Sequence, residues 1–223
     1  KTGSLADVSV FSFHAVKNLS TAEGGAIALN LPEQFDNEII RKEIKTKSLH
    51  GQSKDAFSKM KIGAWRYDVV ESGFKCNMTD IQAAMGLVEL KRYQGNLDKR
   101  KEIVLQYNKA FENYNWANTP IHITENKMSS FHLYLLRING ATEAQRDLII
   151  EEISKNEIAV NVHYTPLAML TAFKNNFDIK DFPVTFDNYS NEISLPVYYN
   201  LTSDQVQTVA KAVIESVNIV MSK

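Results

Sequence analysis

Lys17 stands in a short polar stretch, His14 to Glu23, with a strand-like run on either side. Val8-Ser9-Val10-Phe11-Ser12-Phe13 precedes it, alternating as a half-buried strand does, and Gly24-Gly25 opens Ala26-Ile27-Ala28-Leu29 behind it. A lysine held between two strands is less hydrated than one on a free helix face, which favours the neutral amine. A neutral amine can attack an aldehyde and form a Schiff base. Ser12, at the end of the first run, offers a hydroxyl to a phosphate oxygen, or bonds the backbone of its own loop. Gly24-Gly25 places no side chain in the way of a cofactor or a neighbouring backbone. On spacing alone, a loop lysine is more often a solvated surface charge.

The elements that must position this loop follow along the chain. Pro32 opens a helical pattern with Phe35, Ile39, Ile40 and Ile44. His50 to Lys75 is irregular, with Gly51, Gly63, Gly73, Trp65 and Tyr67, and reads as a long ordered loop. Thr79-Asp80-Ile81-Gln82 is a capping box opening a helix with Ile81, Met85 and Val88 on one side. Gly95 is expected to interrupt that pattern, which runs on to about Tyr114. Beyond Pro120 come a strand at Phe131 to Ile138, a helix at Glu143 to Asn156 and a strand at Ile158 to Tyr164. Ser194-Leu195-Pro196-Val197 is a short extended piece, and Thr202-Ser203-Asp204-Gln205 is a second capping box before a last helix. The fold class is therefore α/β, as a domain at 1–114 that includes the long helix and a smaller one at 115–223.

The 223 residues carry a formal net charge of −1 and are 44% hydrophobic. Near neutrality argues against a general nucleic-acid or membrane-surface binder, which would show a basic excess. The basic clusters Lys42-Lys45-Lys47 and Lys99-Arg100-Lys101 read as solvated helix faces. A lone cysteine, Cys76, cannot close an internal disulfide, so a reducing cytoplasm is expected. No run approaches the ~20 apolar residues of a membrane span. His50, His122 and His132 are scattered without metal-ligand spacing, and no metal is expected.

Four strings carry a resemblance: FSFHAVKNLSTAEGGAI at residues 11–27, YDVVESGFKCNMTDIQAAMGLVEL at 67–90, VNVHYTPL at 160–167 and ISLPVYYNLTSDQV at 193–206. In this order they resemble the DegT/DnrJ/EryC1/StrS aminotransferases, the sugar-nucleotide branch of fold-type I pyridoxal 5′-phosphate (PLP) enzymes. The resemblance implies that Lys17 holds PLP and shuttles the proton during amino transfer, and that Ser12 is a phosphate ligand. Where many members carry an asparagine that reaches the partner subunit's cofactor phosphate, this chain has Lys75, with Asn77 as the competing candidate. His163 and Tyr164 are implied near the sugar-nucleotide site, although a histidine ending a strand is often structural. Related sugar 3-dehydratases replace the lysine with histidine, so transamination is favoured over dehydration.

By the same resemblance, the fold is the C-terminal part of the fold-type I large domain, a mixed sheet with helices, followed by a small α/β domain. The portion carrying the ring-stacking aromatic residue, the ring-nitrogen carboxylate and a phosphate-binding helix is expected to lie before Lys1. The implied partners are a nucleotide sugar, an amino donor and a second subunit in a homodimer, with no nucleic acid and no membrane. A second reading is an inactive piece of such an enzyme that persists as a folded dimerisation or binding module.

Overall fold

The protein is described here from a computed structural model covering residues 1–53 and 66–222. The chain divides into two compact units, Lys1–Tyr93 and Gln94–Lys223. The expected boundary after residue 114 differs from this division, and packing explains the difference. Ile103, Val104, Tyr107 and Phe111, all within the long helix, belong to the hydrophobic core of the second unit.

In the first unit, β1 (Val8–Ser12) pairs antiparallel with β2 (Gly25–Leu29), setting Val10 opposite Ile27 and Ser12 opposite Gly25. Alternation along β1 leaves Val8, Val10 and Ser12 on the exposed face and half-buries Ser9 and Phe11. Helix α1 (Asn37–Ser48) begins later than Pro32 suggests. The Asp36 carboxylate accepts from the backbone N–H groups of Glu38 (2.8 Å) and Ile39 (3.1 Å). Two otherwise orphaned helix donors are satisfied there, which outweighs the fixed φ of proline. After α1 the chain turns at His50 and Gly51, both at positive φ. A Cβ on Gly51 would lie 1.8 Å from the Glu71 carbonyl oxygen, so this turn requires glycine. Bridges Leu49–Lys75 and Gln52–Val69 fasten the described ends of the long loop. Gly63 and Trp65 lie outside the described residues.

Helix α2 (Asp80–Phe111) starts at the expected capping box. Thr79 N–H donates to Gln82 Oε1 at 3.0 Å, and Gln82 N–H donates to Thr79 Oγ1 at 3.3 Å. Gly95 does not interrupt it. A glycine costs ~1 kcal/mol in a helix interior, too little to break a helix whose flanks are good formers and whose second half packs Ile103, Val104, Tyr107 and Phe111 into a core.

In the second unit, β3 (Ala117–Asn118), β4 (Tyr134–Ile138) and β5 (Glu192–Leu195) form an antiparallel sheet in that order. Tyr134, Leu136 and Ile138 of β4 are fully buried, as are Ile149 and Ile153 of α3 (Glu143–Ser154). Ile193 and Leu195 of β5 complete the sheet's share of the core. Helix α4 (Pro183–Ser190), which the sequence reading did not include, leads into β5 with proline in its first turn. The last helix, α5 (Ser203–Met221), opens on its expected capping box and buries Val206, Val209, Val213 and Val217.

One expected strand is shorter than read, and another does not form. Phe131 has φ +51°, so the strand starts at Tyr134. The run Ile158 to Tyr164 is not a strand, and touches β5 through one bridge, Asn161 to Ser194. The His163 N–H is diverted to the Glu192 side chain at 2.9 Å, which ends the ladder there.

The first unit is built differently from the second. Val10, Ile27, Ile81, Met85, Leu87 and Val88 are all exposed, and its buried residues are Thr21, Gly51 and Gly86 among those described.

Candidate functional site

Lys17 lies in a closed loop. Phe13 N–H donates to the Gly24 carbonyl (2.8 Å), and Thr21 N–H donates to the Phe13 carbonyl (2.9 Å). Within the loop, Lys17 N–H donates to the His14 carbonyl at 2.9 Å. Lys17 is half-buried, and Thr21 is 1% exposed beneath the loop. The Thr21 hydroxyl donates to the Glu23 carbonyl at 2.7 Å, so the loop rests on one threonine that is bonded at both ends. The glycine pair serves the neighbouring backbone. A Cβ on Gly25 would lie 2.6 Å from the Phe11 carbonyl oxygen of the paired strand. Ser12 is exposed, and its Oγ accepts from the His14 N–H at 3.3 Å, which is the loop bond considered from the sequence. The hydroxyl proton and a second lone pair are not used in that bond.

Lys75 and Asn77, read as competing candidates, touch each other: the Lys75 ammonium donates to Asn77 Oδ1. Lys75 is fixed by its bridge to Leu49, and the Cys76 N–H donates to the Ser48 carbonyl at 3.0 Å. This segment is packed on the Lys17 loop. The Met78 methyl would be 3.0 Å from a Cβ on Gly24, and Gln82 Nε2 donates to the Glu23 carbonyl at 2.9 Å. The first unit therefore brings an amine, a hydroxyl and an ammonium–amide pair onto two segments in contact.

His163 and Tyr164 belong to the second unit, where they line a cavity of about 620 Å³ with Asn118, Arg137, Asn188 and Glu192. The two rings meet edge to face, with centroids 4.6 Å apart. His163 is held from behind. Its Nδ1 lies 2.6 Å from Ser194 Oγ, its N–H donates to Glu192 Oε2, and Ser194 Oγ donates to Glu192 Oε1. Arg137 donates to Asn188 Oδ1 across the cavity wall. Burial pushes the Glu192 carboxyl above the ordinary carboxylate range, opposed by hydrogen bonds from Ser194 and the His163 backbone and by the charge of Arg146. Sequence reading did not single out Glu192, Ser194, Arg137 or Arg146. One signal was present: Glu192 and Ser194 stand two apart in a run otherwise made of Ile and Leu, so they share one face of a buried strand. Among the described residues, no group of three or more His, Cys, Asp or Glu comes together as a metal site.

The family model described as the DegT/DnrJ/EryC1/StrS aminotransferase family matches residues 1–214. The chain belongs to the DegT/DnrJ/EryC1/StrS aminotransferase family. A Helicobacter pylori relative, named UDP-4-amino-4,6-dideoxy-N-acetyl-beta-L-altrosamine transaminase, is 34% identical over 97% of this chain and 54% of its own length. The protein MJ1066 of Methanocaldococcus jannaschii is 40% identical over 96% of this chain and 54% of its own length. Among solved structures, Spr1654 of Streptococcus pneumoniae in its PMP-form superposes with a TM-score of 0.92 at 44% identity, covering 98% of this chain and 55% of that one. The same protein has also been solved in a PLP-form. Helicobacter pylori PseC, an aminotransferase involved in the biosynthesis of pseudoaminic acid, gives 0.83 at 31% identity, covering 100% of this chain and 56% of that one. The chain thus spans about half the length of the curated relatives it matches. Members of this DegT/DnrJ/EryC1/StrS family are PLP-dependent, and the α/β class read from the sequence agrees with these neighbours.

The donor set of the first unit suits PLP chemically. A primary amine matches an aldehyde, while a serine hydroxyl and a lysine ammonium match phosphate oxygens.

Proposed function

We propose that this chain is the lysine-bearing portion of a PLP-dependent aminotransferase that moves an amino group, with glutamate as donor, onto a keto-sugar nucleotide. The keto group is at the 4-position, and the product enters surface-polysaccharide or amino-sugar synthesis in the cytoplasm. The observation that carries this reading is Lys17 itself, half-buried in a hydrogen-bonded loop within a matching family string. The named Helicobacter relative, whose amino group is at the same carbon, supports the 4-position.

In this reading Lys17 Nζ holds the cofactor and moves a proton to and from the reacting carbon. Ser12 gives its hydroxyl proton to the phosphate. Lys75 supplies charge to a phosphate, with Asn77 fixing its ammonium, and the phosphate they serve belongs to the second subunit of a homodimer. His163 and Tyr164 contact the nucleotide sugar. When bound, the cofactor supplies an electron-withdrawing ring.

A second reading is an inactive piece that persists as a folded dimerisation or binding module. The exposed apolar side chains of the first unit favour it. Incubation with PLP, borohydride reduction and peptide mass analysis separate the two. A pyridoxyl mass on the Lys17 peptide, lost in Lys17→Ala, supports the enzyme reading. No label on the wild-type chain supports the module, and a label retained in Lys17→Ala overturns the assignment of the lysine.

A further inference from the structure

We infer that Ser194 and Glu192 are positioning residues that fix the His163 ring in its Nδ1–H tautomer, making Nε2 the acceptor of the ring. This rests on the proposed reading of His163 as a residue that contacts substrate.

A hydroxyl has one proton to give. Ser194 Oγ gives it to Glu192 Oε1, yet the same oxygen lies 2.6 Å from His163 Nδ1. Ser194 therefore meets that nitrogen with a lone pair, and the hydrogen of the contact belongs to Nδ1. The other Glu192 oxygen accepts the backbone N–H of His163 at 2.9 Å. Glu192 thus grips the residue twice, at its backbone directly and at its ring through Ser194. The bridge from Asn161 to Ser194 holds the two segments in register, with paired backbone bonds of 3.2 and 2.7 Å.

Behind this pair sits Arg146 of α3, fully buried. Its guanidinium donates to the carbonyls of Tyr189 (2.8 Å) and Glu192 (3.2 Å), and to Asp147 Oδ1 (2.7 Å). The Tyr189 hydroxyl donates to Glu143 Oε1 at 2.7 Å. Burial raises the Glu192 carboxyl, and the hydrogen bonds from Ser194 and the His163 backbone, with the charge of Arg146, work against that rise toward the carboxylate, the form with two accepting oxygens. Free imidazole in water prefers the opposite tautomer, so the arrangement imposes a choice. An accepting Nε2 matches a hydroxyl or an amide N–H of a nucleotide sugar. It does not match a phosphate oxygen, which is itself an acceptor.

The glutamine variant distinguishes this from simple packing. In Glu192→Gln the single amide oxygen is claimed by the His163 backbone N–H, so the amide nitrogen faces Ser194 and donates to it. The Ser194 proton then turns to Nδ1, and the ring becomes Nε2–H while His163, Ser194 and residue 192 stay hydrogen-bonded to one another.

The test is long-range proton–nitrogen NMR at pH 8 on the whole chain with 15N-labelled histidine. His163 is expected as Nδ1–H in the wild type, inverted to Nε2–H in E192Q and in S194A, and unchanged in S194T. A wild-type Nε2–H ring overturns the inference, as does a ring that stays Nδ1–H in both E192Q and S194A. Should E192Q fail to fold, the S194A and S194T pair decides. The measurement needs no cofactor, substrate or turnover, so failure of the Lys17 labelling and failure of this inference are separate results.

Discussion

Glu192 carries a cost as well as a role. Its folded-state carboxyl is raised by burial, so the folded protein binds that proton more readily than the unfolded chain does. Its contribution is therefore fully present below the unfolded carboxylate range, near ~4.3, and is lost as pH rises through the folded value. Glu192→Gln does not ionise and escapes this loss. Urea unfolding between pH 4 and pH 8 should show the stability of E192Q climbing relative to wild type as pH rises; a constant difference across that range would count against the assignment. At this scale the sequence told most about Lys17 and Ser12, whose neighbours are local. It told least about His163, whose partners Glu192 and Ser194 are 29 and 31 residues away. Lys75 and Asn77 are competing candidates in the sequence and are in contact in the fold.

Two glycines of α2 have opposite surroundings. A Cβ at Gly95 meets nothing within 4 Å, so Gly95→Ala should stabilise the protein by about 0.5–1 kcal/mol through helix propensity alone. A Cβ at Gly86 would sit 3.0 Å from Thr21 Cγ2. Thr21 is buried and bonded to both Phe13 and Glu23, so it cannot give way easily. Gly86→Ala should therefore lose the propensity gain to overpacking and come out about 1 kcal/mol less stable than wild type. Thermal unfolding of both variants checks the pair; equal shifts would show that the Thr21 contact does not matter. Elements with local signals were legible: the boxes at Thr79, Thr142 and Thr202 all form, the first and last of them read in advance. Of the strand expected at Ile158 to Tyr164 one bridge at Asn161 forms, and past it a side chain on another element, Glu192, takes the His163 N–H.

Across the whole molecule, the apolar burden is unequally placed. Val10 and Ile27 face each other across β1 and β2 while 76% and 48% exposed, and Ile81 and Val88 on α2 are 77% and 54% exposed. Patches of this kind drive association in water. Sedimentation should show concentration-dependent self-association of this chain, reduced at least several-fold in Ile81→Asp/Val88→Asp. A monomer at every concentration would contradict this. The alternation of β1 and the apolar side of α2 are visible in the sequence. Nothing local could say what they look toward. No helix among the described residues is long and apolar enough to cross a membrane.

The long helix gives this inequality a further meaning. The division between the two units falls inside α2, after Tyr93, so one unbroken ladder of backbone hydrogen bonds belongs to both. Its C-terminal part cannot open without exposing Ile103, Tyr107 and Phe111, whereas its N-terminal part is held by the Thr79 box and the Gln82 contact. Opening free energy must then fall along the helix toward Asp80. The turn that fastens the Lys17 loop is the end at which unwinding starts, so the loop's order depends on how far fraying reaches from that end.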